Sequence, residues 1–290
     1  MLISVLLLTT VLPLNAISSV AESESISSTE SITAQNQQAT PSNGSESAEE
    51  EWKSEDFTYD EITEKLISTN SYYAITGFSE KGKAKILKNK ALVIPATVEV
   101  MEKGNKVEKR ITGIGKDAFA KKDIESLTIN IPEGYKEYII ADGAFENNKL
   151  TEINIPFGVK FIESYAFRDN EIESLELPET VVKVGNNSFT NNKISSLTVS
   201  DRVEKFQFDS FSFANNKLTE VHLPYSIFKL LKNVFINNTG YQDGKVLLYT
   251  RNKKHLETST YIQPHSDYHE FRLMGEEVNR ENLYKLIKTA

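Results

Sequence analysis

FENNKLTEINIP, residues 145–156, returns with the same apolar positions as FRDNEIESLELP from Phe167, FTNNKISSLTVS from Phe189 and FANNKLTEVHLP from Phe213. The phenylalanines that open these phrases extend in both directions, to Phe119 and Phe235, with successive separations of 26, 22, 22, 24 and 22 residues. A period in this range marks a solenoid, in which single coils cannot bury their apolar surface and stacked coils can. Five positions before each phenylalanine stands Ile114, Ile140, Ile162, Val184, Phe208 or Leu230. Immediately before it is Ala118, Ala144, Ala166, Ser188 or Ser212, with Val234 departing. Apolar residues recur five, eight and ten positions after it, as in Leu150, Ile153 and Ile155.

The last two of these alternate with polar residues, so each coil carries a short strand with one buried face. Pro156, Pro178 and Pro224 close three of those strands, since proline cannot donate to a continuing ladder. The small residue lets the backbone turn closely on the opposite side of the coil, where the ring fills the space between coils.

The pattern I-x-x-x-A-F-x-x-N-x-L-x-x-L-x-L-P resembles the BspA-like leucine-rich repeats of bacterial surface proteins, over about residues 110–250. GFSEKGKAKILKNKALVIPATV, from Gly77, is similar to the N-terminal cap of that family in Gram-positive organisms, and DGKVLLYTRNKKHL, from Asp243, to its closing strand. The resemblance implies an α/β-type repeat solenoid: a leucine-rich repeat stack with one short parallel strand per coil of about 22 residues, capped at both ends. The family holds adhesins, partner-binding modules and domains of larger receptors, some of them in haem-acquiring proteins.

Outside the repeats, composition sets the organisation. Residues 1–21 are uncharged and apolar and end in Ser19-Val20-Ala21, the small-x-small pattern of a secretory signal, although the first basic residue is Lys53. The apolar run stops near Pro13, short of the roughly 20 residues a bilayer span requires. Residues 22–51 are rich in Ser, Glu, Thr and Asn and read as a flexible linker. That linker holds seven of the 41 acids and no Lys or Arg, leaving 34 acids against 33 bases in the rest of a chain whose net charge is −8. The near-neutral remainder gives no case for nucleic acid or an anionic membrane. The chain has no cysteine, which suits an exported bacterial protein whose core suffices without disulfides.

Residues 52–109 are expected to form the N-terminal cap, with a short helix on DFTYDEITEKLIS from Asp56, a second over Ser79–Lys88 with Ser79 as N-cap, and a strand over ALVIPATVEV from Ala91. The solenoid occupies 110–250, and 251–290 form a C-terminal cap with an amphipathic tail helix on GEEVNRENLYKLIKTA. The end of the chain carries neither a hydrophobic anchor nor a wall-sorting motif, so the expectation is a secreted protein or one held at the wall non-covalently.

Candidate chemistry is sparse. The asparagine pairs Asn147-Asn148, Asn191-Asn192, Asn215-Asn216 and Asn237-Asn238, with Asp169-Asn170 between, read as turn residues, because asparagine tolerates left-handed backbone and its amide satisfies turn groups. A calcium array would call for more carboxylates. PHSDYHE, residues 264–270, places His265, Asp267 and His269 near one another, but Pro264 opposes the helix that would align two imidazoles, so a solvated loop is the default reading. No phosphate loop, nucleophile elbow or paired carboxylates occur, and neither enzyme activity, metal nor cofactor is expected.

What remains is the outward alternation of the strands: Ser126 and Thr128, Glu152 and Asn154, Ser174 and Glu176, Ser196 and Thr198, Glu220 and His222. With strands about 4.8 Å apart these make a continuous polar strip about 25 Å long. It is either an ordinary solvated sheet face or a surface for a protein or glycan partner; the strip residues from Glu152 to His222 are the candidate contacts. Host or bacterial surface molecules are the expected partners of a monomer. Assistance in haem or haemoprotein uptake and a purely structural spacer stand as alternatives.

Overall fold

The computed structural model describes residues 51–63, 72–240, 245–251 and 269–273. The expected signal, the linker apart from Glu51, and the tail helix lie outside them. The cap begins with a single 3-10 turn, Ser54–Asp56, and continues through β1 (Phe57–Ile62), β2 (Tyr72–Phe78), helix α1 (Glu80–Ile86), β3 (Ala91–Ile94), β4 (Thr97–Glu102) and β5 (Asn105–Arg110). The coils then contribute β6 (Gly113–Ile114), β7 (Ser126–Ile129), β8 (Tyr138–Ile140), β9 (Val159–Ile162), β10 (Ser174–Leu177) and β11 (Lys183–Val184). After them come β12 (Ser196–Val199), β13 (Phe206–Phe208), β14 (Glu220–His222), β15 (Ile227–Leu230), β16 (Val246–Thr250) and β17 (His269–Leu273).

The solenoid is built as the repeat spacing requires, with one addition. Strands that carry the apolar residue five before each phenylalanine form one eight-stranded sheet in the order β1-β2-β6-β8-β9-β11-β13-β15, parallel from β2 onward. The strands read from the sequence form the opposite wall, in the smaller parallel sheets β3-β7, β10-β12 and β14-β16-β17. A typical coil therefore has two strands rather than one, and among the described residues the only α-helix is α1 in the cap. The second strand was hidden because it is as short as two residues and too brief to show an alternation.

Between the walls lies one continuous core. The phenylalanines of the period are buried and stack with centroids 5.2–6.1 Å apart and planes within 20° of parallel, an offset arrangement that favours aromatic pairs. Their small neighbours, Ala144, Ala166, Ser188 and Ser212, are fully buried too.

The cap departs from the sequence reading at its first element. Phe57–Ile62 is a strand, not a helix: it pairs antiparallel with Tyr72–Phe78, with a register shift between Thr58 and Tyr59. Phe57 and Tyr59 alternate toward the core, and pairing with the β-branched and aromatic run of β2 outweighs the helical spacing of Phe57 and Ile62. Leu66 and Ile67, which completed that spacing, lie outside the described residues. The second helix forms as expected, with the Ser79 hydroxyl accepting from Gly82 N–H at 3.2 Å. Lys103 and Gly104, both at positive φ, make the two-residue turn of the β4-β5 hairpin. The aromatic stack continues into the cap, where Phe119 meets Phe78 edge-on at 4.8 Å and Phe78 stacks on Trp52 at 5.3 Å.

Candidate recognition surface

Each coil turns twice, and both turns use left-handed backbone. The residue two before each phenylalanine has φ between 53° and 62°: Asp117, Gly143, Tyr165, Asn187, Phe211 and Asn233. The residue two after it, Lys121, Asn147, Asp169, Asn191, Asn215 or Asn237, is also left-handed. The first asparagine of each pair thus serves conformation, which asparagine and aspartate adopt at low cost. Their side chains also link across coils: Asn191 donates to Asp169 Oδ1 at 2.6 Å and Asn215 to Asn191 Oδ1 at 2.6 Å.

The second asparagine serves the core. Asn148, Asn170, Asn192 and Asn216 are buried. Each donates its amide to the carbonyl of the phenylalanine in its own coil and in the coil before, at 2.9–3.2 Å. Each Oδ1 accepts a main-chain N–H of the preceding coil, from Ile124, Leu150, Ile172 or Ile194. Both amide functions are consumed in this way. Among the described residues no three carboxylate or imidazole groups gather as a metal site would require. His265 and Asp267 lie outside those residues, and the backbone at His269 is strand β17.

These turns deliver the opposite wall with a fixed facing. In β7, β10 and β12 burial alternates strictly, and all ten strip positions from Ser126 to His222, the eight candidate contacts among them, are exposed. The hydrogen bonding of the strip is not continuous, however. Glu152–Ile155 occupies its place in the stack without forming a ladder strand, and β12 and β14 lie side by side unladdered. The 26- and 24-residue coils coincide with the breaks after β7 and between β12 and β14; coil length does not account for the break between Glu152–Ile155 and β10.

The structure adds residues that the sequence reading passed over. Glu125 and Glu173, one position before the strands, are exposed on the same wall. With Glu152, Glu176 and Glu220 they make it acidic from β7 to β14, where its three outward columns contain no Lys or Arg; the register carries those columns on to Lys90 beside Glu125 and to Arg272 beside Tyr249. Lysines begin only on the flank, where Lys149 pairs with Asp123 at 3.0 Å and Lys193 with Glu171 at 2.6 Å. Those contacts hold the Asp123 and Glu171 carboxyls below the usual range. The strip also has an aromatic that the sequence reading lacked: Tyr249 on β16 is the register partner of His222 and stacks on its ring at 4.8 Å. Only the parallel pairing of β14 with β16 brings the two together.

The other aromatics divide. Tyr138 is fully buried, and burial pushes its phenol up. Tyr165, Tyr225 and Phe157 are exposed at turns, and Phe228 is exposed on β15. Lys136 lies over Phe157 at 5.2 Å, Arg168 over Tyr165 at 5.5 Å and Lys205 over Phe228 at 4.4 Å. Among the described residues no helix is long and apolar enough to cross a membrane.

Comparison with known proteins agrees with this geometry. The family described as BspA type leucine rich repeat region matches residues 112–242 in six copies. No curated protein matches. Among solved structures, the pneumococcal vaccine antigen PcpA superposes with a TM-score of 0.52 at 21% identity, covering 68% of this chain and 49% of that one. A leucine rich cell surface protein of Faecalibacterium prausnitzii is similar at 17% identity and a TM-score of 0.39, covering 64% of this chain and 54% of that one. The chain thus spans about half the length of the pneumococcal antigen. With the repeat matched in all six coils and the stacked walls observed, the repeat region of this chain, residues 112–242, belongs to the BspA-type leucine-rich repeats.

Proposed function

We propose that this protein is a recognition module presented outside the cell, binding a protein or glycan partner through the acidic wall centred on Glu152, Ser174, Glu176, Ser196, Thr198 and Glu220. The observation that carries this reading is the facing itself: from Glu125 to His222 the outward positions of that wall are exposed, and that stretch carries five glutamates and no Lys or Arg. A flat surface of one sign attracts partners of the other and steers their approach. The repeat family and the similarity to a pneumococcal antigen support display at a cell surface and binding of a protein partner.

The test is capture from host plasma and extracellular-matrix extract by the protein and by its E152K/E176K/E220K variant, with circular dichroism establishing equal folding. A partner held by the first and lost by the second supports the assignment. Equal capture by both, or none by either, overturns it.

A further inference from the structure

Among the described residues, the two-stranded sheet β3-β7 at one end of the strip has a free edge at β3. Parallel pairing with β7 turns the main-chain groups of alternate β3 residues toward that neighbour: Asn130 N–H donates to Ile94 O at 3.0 Å and Ser126 N–H to Lys90 O at 3.4 Å. Ala91 and Val93 therefore direct theirs the other way. Ala91 is satisfied there, its N–H donating to Asn89 Oδ1 at 2.8 Å and its carbonyl accepting from Trp52 Nε1 at 2.6 Å. Val93 N–H and C=O have no partner among the described residues.

A cleft of about 370 Å³ adjoins this edge, with Val93, Trp52, Pro95, Asn89, Asn130 and Glu51 among its lining residues. That size falls within the roughly 300–1,000 Å³ range of ligand-binding clefts. The Val93 side chain is 38% exposed, and the register partners Ala91–Ser126 and Val93–Thr128 make the cleft floor continuous with the strip. Lys85 bonds the main-chain carbonyl of Glu51, whereas the Glu51 carboxylate has no ion-pair partner among the described residues.

We propose that this edge is a strand-addition site for an extended segment of a partner protein. The segment's carbonyl accepts from Val93 N–H and its own N–H donates to Val93 O. An aliphatic side chain seats between Trp52, Val93 and Pro95, and a neighbouring lysine or arginine faces Glu51. Main-chain bonds supply affinity and the cleft supplies side-chain preference, as in other strand additions. Trp52 blocks the edge at Ala91 and Pro95 cannot donate, so about three residues of the segment are read. An unsatisfied donor–acceptor pair spaced for one peptide unit favours polypeptide over glycan. The inference rests on the partner-binding reading and adds the chemistry of the partner.

Trp52 is the only tryptophan in the chain, so tryptophan emission comes from the residue that lines this cleft. The probe is the blocked peptide acetyl-Thr-Lys-Val-Lys-Thr-amide, titrated into the purified protein. A saturable change in Trp52 emission is expected, weakened about tenfold by N-methylation of the central valine, which removes one main-chain donor and crowds the edge. Val93→Pro, which deletes a donor that the β3-β7 ladder does not use, weakens binding likewise. No saturable change up to millimolar peptide, or equal binding of the N-methylated peptide, overturns the proposal. Both peptides meet the same folded protein, so neither result depends on a variant's stability. Titration of the E152K/E176K/E220K protein separates this site from the acidic wall: the peptide response persists there whether or not partner capture is lost.

Discussion

Asn192 donates its amide to the carbonyl of Phe167, one coil away, at 2.9 Å, while its Oδ1 accepts from Ile172 N–H of that same coil at 3.0 Å. One buried side chain thus holds two coils together by bonds that neither backbone could make alone.

Replacing Asn192 by Ala leaves Ile172 N–H buried without a partner, whereas Phe167 O keeps the amide of Asn170 at 3.1 Å. At about 1–3 kcal/mol for a buried group left unsatisfied, that is the loss expected in urea unfolding. Asn192→Asp is expected to be worse, because a carboxylate meets two carbonyl oxygens. A thermal midpoint unchanged by chelator is the companion expectation, since the amides of this column are spent on main-chain groups; a fall in midpoint with chelator would contradict the hydrogen-bond assignment.

Phe167 sits mid-stack between Phe145 and Phe189 at 5.3 and 5.2 Å and is fully buried. Phe167→Ala should cost about 3–5 kcal/mol as a core cavity. Glu152→Ala, on the exposed wall, should stay within about 0.5 kcal/mol. Chemical denaturation of both variants checks the pair, and similar losses at the two sites would show the facing to be wrong.

Lys85 and Asp56 form a buried pair in the cap at 2.8 Å, with Lys85 also 4.8 Å from the centre of the Trp52 ring. Lys85→Met leaves Asp56 buried without its partner and should cost about 3–5 kcal/mol. Because Trp52 packs against this pair, its emission should shift to the red in the variant at lower denaturant concentration than in the parent.

Two carboxyls give opposite pH dependences. Burial holds Glu163 above its usual 4.5, with the Lys183 contact at 2.5 Å offsetting only part of that rise. The folded state therefore binds this proton more tightly, and the stability linked to it is full below 4.5 and lost as pH rises through the higher folded value. Asp56 is pushed up by burial, but bonds from Lys85 and from Lys53 N–H outweigh that and hold it below 3.8. Its contribution is present above 3.8 and lost as pH falls through the lower folded value. Urea midpoints measured against pH should show Glu163→Gln flattening the decline just above 4.5, and Asp56→Asn removing the acid-side loss below 3.8.

The period, the core columns and the facing of the acidic wall were legible in the sequence by itself. Stacking near-identical coils converts each buried column into a local repeat, so Phe145, Phe167 and Phe189 and the asparagines behind them reveal long-range packing at a fixed short spacing. Pairings made once, between segments of unrelated sequence, were decided only by the tertiary structure. Phe57–Ile62 became a strand because β2 lies beside it, His222 met Tyr249 because β14 pairs with β16, and among the described residues Val93 has no main-chain partner because β7 is the one ladder neighbour of β3 there. Each of these depends on a register between distant residues, and a register that occurs once leaves no period to read.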